Sequence, residues 1–488
     1  MPSEVDGSPP TSTRAIKGFA WAVASLGGSR VVVFISTLVL ARILVPREFG
    51  IVSAGLAYIA YLEVVLDLGV SSAVVFEQEV GITRRVRTAF TVNLVACVIF
   101  TGIGVAGSSF GARFFHIPHE VAIFRALSCY LAIGGFGQVG GALLRRDLRF
   151  AAKTVVDLTK ALVRAGLSIG LALAGYGAWA IVLGLLAGEL CGAVLATTLA
   201  RFRPRPAFDR GAASGMLRFG VGVLALAILG EAGLNADYLV VGNRLGSIAL
   251  GVYTMAYRLP ELLISNLFWV FSSVAFPAYS RTNTVGGTDA LRSAMLKSLR
   301  YVTLYGFTVG AGLAIASRDI VGVLLSTRWA NATVPMALVA LGAAFGSVGY
   351  ASGDLYTATG QPRRLLKING PVVTLKIIGF VIAAPHGLVA VAAVHVVGNF
   401  AYAFVRLEAA NRIVGSTWRQ DLDALRPGLI AAAGVVVCAL PVRLLGAPGA
   451  MTLLLTVVMG IAGASLALRL LDPPVLGDLR GVLAKAYR

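Results

Sequence analysis

Apolar stretches of about 20 residues recur along almost the whole chain, separated by short polar gaps. As helices rising 1.5 Å per residue, such stretches cross a hydrocarbon core of roughly 30 Å. The pattern places spans at roughly 19–44, 51–75, 88–108, 121–143, 154–175, 178–199, 217–242, 248–277, 301–325, 331–353, 366–385, 387–409, 428–446 and 449–470. It predicts an all-α, polytopic membrane protein of about 14 transmembrane helices. Two further segments, Thr288 to Leu299 with Thr288 as candidate N-cap, and Val475 to Tyr487, carry apolar residues at helical spacing and are expected to lie on the headgroups.

The gaps alternate in basic content. Arg84, Arg85 and Arg87 fall in one, Arg145, Arg146, Arg149 and Lys153 in another, and Arg201, Arg203, Arg205 and Arg210 in a third, with similar clusters around Arg292, Arg363 and Arg419. Basic loops stay on the cytoplasmic side, so these gaps and both termini are expected in the cytoplasm of a bacterium whose inner membrane holds the chain. The opposite gaps are as short as Gly175 to Gly177 and His386 to Gly387, which leaves no room there for an external catalytic domain. The polar, Pro- and Ser-rich start reads as a disordered cytoplasmic tail over 1–14, with no cleavable leader.

A composition of 57% hydrophobic and 13% charged residues excludes a water-soluble domain of this length. The net charge of +19 sits in loops rather than on a soluble basic face, which argues against a nucleic-acid partner and for contact with anionic membrane lipids. Cys97, Cys129, Cys191 and Cys438 all lie in apolar runs without CxxC spacing and read as packing residues. There is no GxxxxGK[ST], HExxH or GxSxG motif, and the histidines are scattered; neither an enzyme, a metal site nor a cofactor is indicated.

The chain also repeats itself. The segment from Phe19 through Ala54 can be laid on that from Phe219 through Ala256 with Gly50 on Gly251. Because both copies start in the cytoplasm and hold six spans, they are expected to be parallel repeats. The resulting organisation is an N-terminal six-helix lobe over 15–210, a C-terminal six-helix lobe over 211–415, two additional helices over 416–471 and an amphipathic cytoplasmic tail over 472–488.

Ionisable groups inside spans cost at least about 2.5–3.5 kcal/mol each and so normally face a cavity or a partner. They include Arg30; Glu63 and Asp67 on one face; Asp157, Lys160 and Arg164 on another; Glu189; Glu231, Asn235 and Asp237; Arg258 and Glu261; Asp354; and Lys376. The duplication sets Arg30 opposite Glu231. A hydrated cavity lined by the first, second, seventh and eighth spans would use Arg30 and Arg258 as cations for a diphosphate. Glu63, Asp67, Glu231, Asp237 and Glu261 would bind hydroxyls, cations or protons. Arg258 and Glu261, three residues apart, could instead neutralise each other.

Several stretches resemble a known family: AIKGFAWAVASLGGSRVVVFISTLVLARILVPREFGIVSAG, LDLGVSSAVV, LLRRDLRFAAK, ADYLVVGNRLGSIALGVYTMAYRLPELL and VAFPAYSR. In order and spacing, over roughly 15–415, they look like Wzx-type flippases of lipid-linked oligosaccharides, the colanic-acid-exporter-like branch of the multidrug/oligosaccharidyl-lipid/polysaccharide exporter superfamily. The resemblance implies two six-helix bundles around a central cavity and alternating access. The implied cargo is an undecaprenyl-diphosphate-linked oligosaccharide, moved to the periplasmic leaflet, with cavity cations at Arg30 and Arg258 for the diphosphate. It also implies possible coupling to Na+ or H+, and polysaccharide polymerase and chain-length machinery as partners. A lipid II flippase and a cation-coupled drug antiporter of the same superfamily are the alternatives; the first span lacks the Gly-x-x-Arg-Asp pattern of the former, having VVVFISTLVLAR instead.

Overall fold

The computed structural model describes residues 11–66, 82–201, 209–445, 449–475 and 477. Among these residues there is no strand. The helices are α1 Thr11–Ile43, α2 Pro46–Leu66, α3 Ile82–Phe114, α4 Val121–Arg146, α5 Phe150–Leu173, α6 Ala178–Leu199 and α7 Arg210–Pro260, followed by α8 Asn266–Val285, α9 Gly287–Ile320, α10 Thr333–Ala358, α11 Pro362–Ala383, α12 Leu388–Val414, α13 Trp418–Leu445 and α14 Ala450–Leu471. Ten helical stretches among the described residues are long and apolar enough to cross a membrane, so the chain is a multi-pass membrane protein.

Helix α7 is one element only by hydrogen bonding, because Gly246 stands at φ 83 and ψ 178 and breaks it in two. A Cβ makes that conformation costly, and glycine adopts it without strain. The break falls in the gap expected between residues 242 and 248. Pro260, which cannot donate a backbone hydrogen bond, is followed by a π turn over Glu261–Ser265. In lipid a loosened carbonyl must be met from within the protein, and the Tyr305 hydroxyl of α9 donates to the Leu263 carbonyl at 2.5 Å. Tyr305→Phe is therefore expected to lower the thermal midpoint of the purified protein by the equivalent of about 0.6 kcal/mol; an unchanged midpoint would show that the carbonyl finds another donor.

The segment from Thr288 to Leu299 does not lie apart on the headgroups. It forms the first turns of α9, and its apolar stripe, Leu291, Met295 and Leu299, is buried. Leu291 and Met295 share a cluster with Tyr279, Leu355, Tyr356, Ala410 and Val414. A stripe of this kind suits a lipid surface or a protein one equally, and here neighbouring helices cover it. No Thr288 cap forms, since the residue before the helix is Gly286. Helix α1 begins at Thr11, inside the expected tail, while residues 1–10 and 478–488 lie outside the described residues.

The chain packs as two units, one made of 1–44 and 51–231, the other of 45–50 and 232–488. In the first, α1 packs on α5, α5 on α6, and α4 on both α3 and α6. Gly184, Gly188 and Gly192, each four residues after the last, let α6 approach α5 at backbone distance. A Cβ at Gly188 would stand 2.8 Å from the Lys160 carbonyl oxygen and 3.0 Å from the Arg164 Cβ, and one at Gly192 would stand 3.2 Å from the Lys160 stem.

In the second unit α9 packs against α8, α10, α13 and α14, so the two C-terminal helices expected as an addition are part of its core. Pro46 to Gly50, in the first turn of α2, also belongs to this unit. A Cβ at Gly50 would collide with the Ser247 carbonyl oxygen and one at Gly251 with the Pro46 carbonyl oxygen; each would also stand 3.0 Å from the other glycine's nitrogen. One offset of 201 residues relates Gly50 to Gly251 and Pro46 to Ser247, so the contact is exchanged between equivalent positions, as in a local two-fold crossing.

Candidate functional site

The first unit gathers charge on α5 and around it. Lys153 pairs with Asp157 one turn along, and Lys160 pairs with Glu189 of α6, whose side chain is 12% exposed. Tyr130 of α4 also hydrogen-bonds Glu189, with Glu63 of α2 and Arg164 in electrostatic reach. The glycine ridge of α6 makes this pairing possible, because only a helix without side chains at those positions lets the Lys160 stem run across it. Removing one member of such a pair strands the other charge, whereas replacing both does not. Lys160→Met is expected to destabilise the protein by about 1–3 kcal/mol and the double variant Lys160→Met/Glu189→Leu by less, as measured by thermal unfolding in detergent; an equal or larger loss in the double variant would contradict the pairing.

Arg30 stands on α1, the helix that packs along α5. It is half-buried and has no ion-pair or hydrogen-bond partner among the described residues. Other cations in the helices are engaged: Lys153 and Lys160 with carboxylates, Arg406 with the Tyr402 hydroxyl at 2.8 Å and Lys376 with the Asn399 amide oxygen at 2.9 Å. Glu63 is exposed and Glu231 half-buried, both of them engaged in interactions. Asp67 lies outside the described residues.

The second unit holds Asp237, Arg258 and Glu261. Arg258 and Glu261 approach to 3.8 Å across the start of the π turn, with side chains 35% and 50% exposed. They are therefore a loose intrahelical pair open to its surroundings, and the Arg258 Nε is buried without a hydrogen-bond partner among the described residues. Asp237 is buried, 3% exposed, before the Gly246 break. Its Oδ2 accepts from the hydroxyls of Tyr253 at 2.9 Å and Tyr257 at 2.8 Å, both beyond the break, and its Oδ1 accepts from the Tyr238 backbone N–H at 3.0 Å. Tyr257 in turn meets both ring nitrogens of His395 of α12, Nδ1 at 2.7 Å and Nε2 at 3.2 Å, and His395 Nε2 lies 3.0 Å from Asn399 Nδ2.

The sequence pattern shows Lys376 and His395 as polar groups within spans but does not join them to Asp237. The signal that was available is the four-residue spacing of Tyr253 with Tyr257 and of His395 with Asn399, which sets each pair on one helix face. Among the described residues no group of three or more His, Cys, Asp or Glu side chains could hold a metal ion. Cys97, Cys129, Cys191 and Cys438 are all free thiols, and Cys97 is buried beside Asn93.

A family described as "Polysaccharide biosynthesis protein" matches residues 39–334. The succinoglycan biosynthesis transport protein ExoT of Rhizobium meliloti (strain 1021) is 24% identical over 326 residues, covering 67% of this chain and 65% of the relative. The lipopolysaccharide biosynthesis protein WzxC of Escherichia coli (strain K12) is 24% identical over 339 residues, covering 68% of this chain and 67% of the relative. The chain thus spans about two thirds of the length of these relatives. Among solved structures, the lipid II flippase MurJ in an inward closed conformation superposes with a TM-score of 0.77 at 13% identity, covering 94% of this chain and 99% of that one. An inward-facing multidrug resistance MATE family transporter of the MOP superfamily gives 0.66 at 14% identity, covering 81% and 98%. At these identities the structural likeness speaks for the fold.

Proposed function

The chain belongs to the polysaccharide biosynthesis protein family, and we propose that it moves an undecaprenyl-diphosphate-linked oligosaccharide from the cytoplasmic to the periplasmic leaflet of a bacterial inner membrane by alternating access. About 14 spans with both termini in the cytoplasm accompany this reading. The observation that carries it is Arg30, a permanently charged group within an apolar helix that has no protein partner among the described residues. Holding such a cation in a membrane is costly, and an anionic ligand offsets the cost when it arrives. Guanidinium groups match diphosphate oxygens two at a time, so the headgroup of a polyprenyl-diphosphate lipid suits it. Arg258, only loosely held by Glu261, is the second cation of the proposal.

A sugar diphosphate cannot cross hydrocarbon unaided, whereas its polyprenyl tail can remain in lipid throughout. The protein's task is then to lend a polar path to the headgroup, and no covalent chemistry is required. Glu63, Asp67, Glu231, Asp237 and Glu261 are the candidates for sugar hydroxyls or for a coupling Na+ or H+, and the polymerase and chain-length machinery are the proposed recipients of the product. The names of the relatives, a succinoglycan biosynthesis transport protein and a lipopolysaccharide biosynthesis protein, favour a polysaccharide repeat unit over lipid II, although the MurJ fold would serve both.

The test is a deletion strain of the source bacterium, with the lipid fraction examined by mass spectrometry. Lipid-linked oligosaccharide is expected to accumulate, accessible only from the cytoplasmic side, and to clear when the full chain is restored. Unchanged lipid pools with normal polysaccharide on the surface would overturn the proposal.

A further inference from the structure

The hydrogen bonds around Asp237 have a direction that the transport reading does not use. The Asn399 amide is oriented twice over, since its Oδ1 accepts from Lys376 Nζ at 2.9 Å while its Nδ2 donates to the Gly342 carbonyl of α10 at 3.0 Å. The second hydrogen of that Nδ2 therefore points at His395 Nε2, 3.0 Å away, and makes Nε2 an acceptor. The neutral imidazole then carries its proton on Nδ1 and donates it to the Tyr257 oxygen, 2.7 Å away, while the Tyr257 hydroxyl donates to Asp237. Every donor from Lys376 to Asp237 points the same way, and the carboxylate stands at the accepting end.

Two consequences follow from this order. First, His395 cannot take a second proton while Lys376 is an ammonium: a proton on Nε2 would face the Asn399 N–H, and turning the amide would set its N–H groups against Lys376 and forfeit the Gly342 bond. An incoming proton must therefore be taken by Asp237. Second, Asp237 Oδ2 accepts two tyrosine hydroxyls, both from beyond the Gly246 break. A proton bound at Oδ2 must itself be donated, so at least one tyrosine hydroxyl has to reverse and accept it, and the bonds that join the two halves of α7 are reordered.

The charges facing the network are few. Helix α7 contributes Asp237 and the phenols of Tyr238, Tyr253 and Tyr257, α12 contributes His395, and α11 contributes Lys376, which lies in electrostatic reach of Asp237; α10 contributes the Gly342 carbonyl. Arg258 and Glu261 act on Tyr238 with opposite signs and offset each other. With Lys376 charged and Asp237 ionised the cluster is neutral, the position of balancing cation being filled by a side chain. Lys376, His395 and Asn399 are half-buried, while Asp237 and Tyr253 are buried.

We propose that the Lys376, Asn399, His395, Tyr257 and Asp237 chain is a proton-operated clasp on the Gly246 break of α7, insensitive to sodium because Lys376 already supplies the balancing cation. The added proton ends on Asp237, forming an O–H bond there; no other bond is made or broken except hydrogen bonds. Its purpose rests on the transport reading, but its behaviour does not, and its test needs no cargo.

The test places spin labels at Leu234 and Ile248, which are 64% and 61% exposed, on either side of Gly246. The labels go on the full chain in nanodiscs after Cys97, Cys129, Cys191 and Cys438 are replaced by alanine. At 1.5 Å per residue they sit about 20 Å apart, within reach of double electron–electron resonance. The distance distribution is expected to shift between about pH 8 and about pH 5 and to be the same in sodium and potassium chloride at either pH. Asp237→Asn is expected to give the acid distribution at both. Lys376→Met, which strips Asp237 of its balancing charge, is expected to give it already at the higher pH. A distribution unmoved by pH in the labelled parent, or moved by sodium at constant pH, would overturn the clasp. Because neither result involves a lipid-linked sugar, its failure would leave the cargo assignment standing, and the deletion-strain result would leave the clasp standing.

Discussion

Arg30→Ala is expected to abolish export of the lipid-linked sugar in a complementation assay while the protein still inserts in the membrane at normal level. Other cations in the helices, Lys153, Lys160, Lys376 and Arg406, already have a partner within the protein, and substituting them disturbs structure as well as function. Arg30 has none among the described residues, so its removal relieves the membrane-embedded protein of a cost and takes away only what it does for a ligand. A charge-assisted hydrogen bond of about 1.5–3 kcal/mol corresponds to a loss of about 10- to 100-fold in headgroup binding, more if both guanidinium edges are used. Arg30→Lys keeps the charge but not the planar fork and is expected to retain part of the activity. Full export by Arg30→Ala at normal protein level would remove Arg30 from the site. Full export by Arg30→Lys would mean that charge alone is read, without bidentate geometry.

The second large effect concerns the crossing of Gly50 and Gly251. Either glycine replaced by alanine sets a Cβ against a backbone carbonyl, Ser247 in one case and Pro46 in the other. Backbone cannot swing aside as a side chain can, so the two segments must separate, at a cost of about 1–3 kcal/mol for each substitution alone. Because both changes force the same separation, Gly50→Ala/Gly251→Ala is expected to cost little more than either single change, a non-additivity that a double-mutant cycle on thermal unfolding in detergent measures directly. Additive losses would mean that the two glycines relieve different contacts, and that the 201-residue correspondence has no structural meaning at this point.

Much of the architecture is legible from hydrophobic length because lipid imposes one repeated requirement, a helix long enough to cross it. The expected gap between residues 242 and 248 coincides with Gly246, since glycine acts on the backbone itself and needs no partner. The pairing of Arg258 with Glu261 could be foreseen because both lie on one helix. What could not be read is which face meets which neighbour. The stripe of Leu291, Met295 and Leu299 has the same spacing whether lipid or protein covers it. The bonds of Asp237 were hidden for a related reason: its partners are neutral tyrosines, and Tyr257 and His395 are 138 residues apart in the chain. Lys160 gave its charge away in the sequence but not its acceptor, Glu189, which becomes visible only when the glycines of α6 are known to face α5.

The most direct measurement is reconstitution of the purified full chain in liposomes holding a fluorescent polyprenyl-diphosphate-linked disaccharide in both leaflets, with dithionite added outside. In protein-free liposomes only the outer-leaflet fluorophore is reduced. With the wild-type chain the remaining fluorescence is expected to decay in a second phase as inner-leaflet lipid is carried out, and Arg30→Ala is expected to lose that phase. An inner pool that stays protected in the presence of the wild-type chain, with an imposed proton or sodium gradient of either direction, would contradict the account.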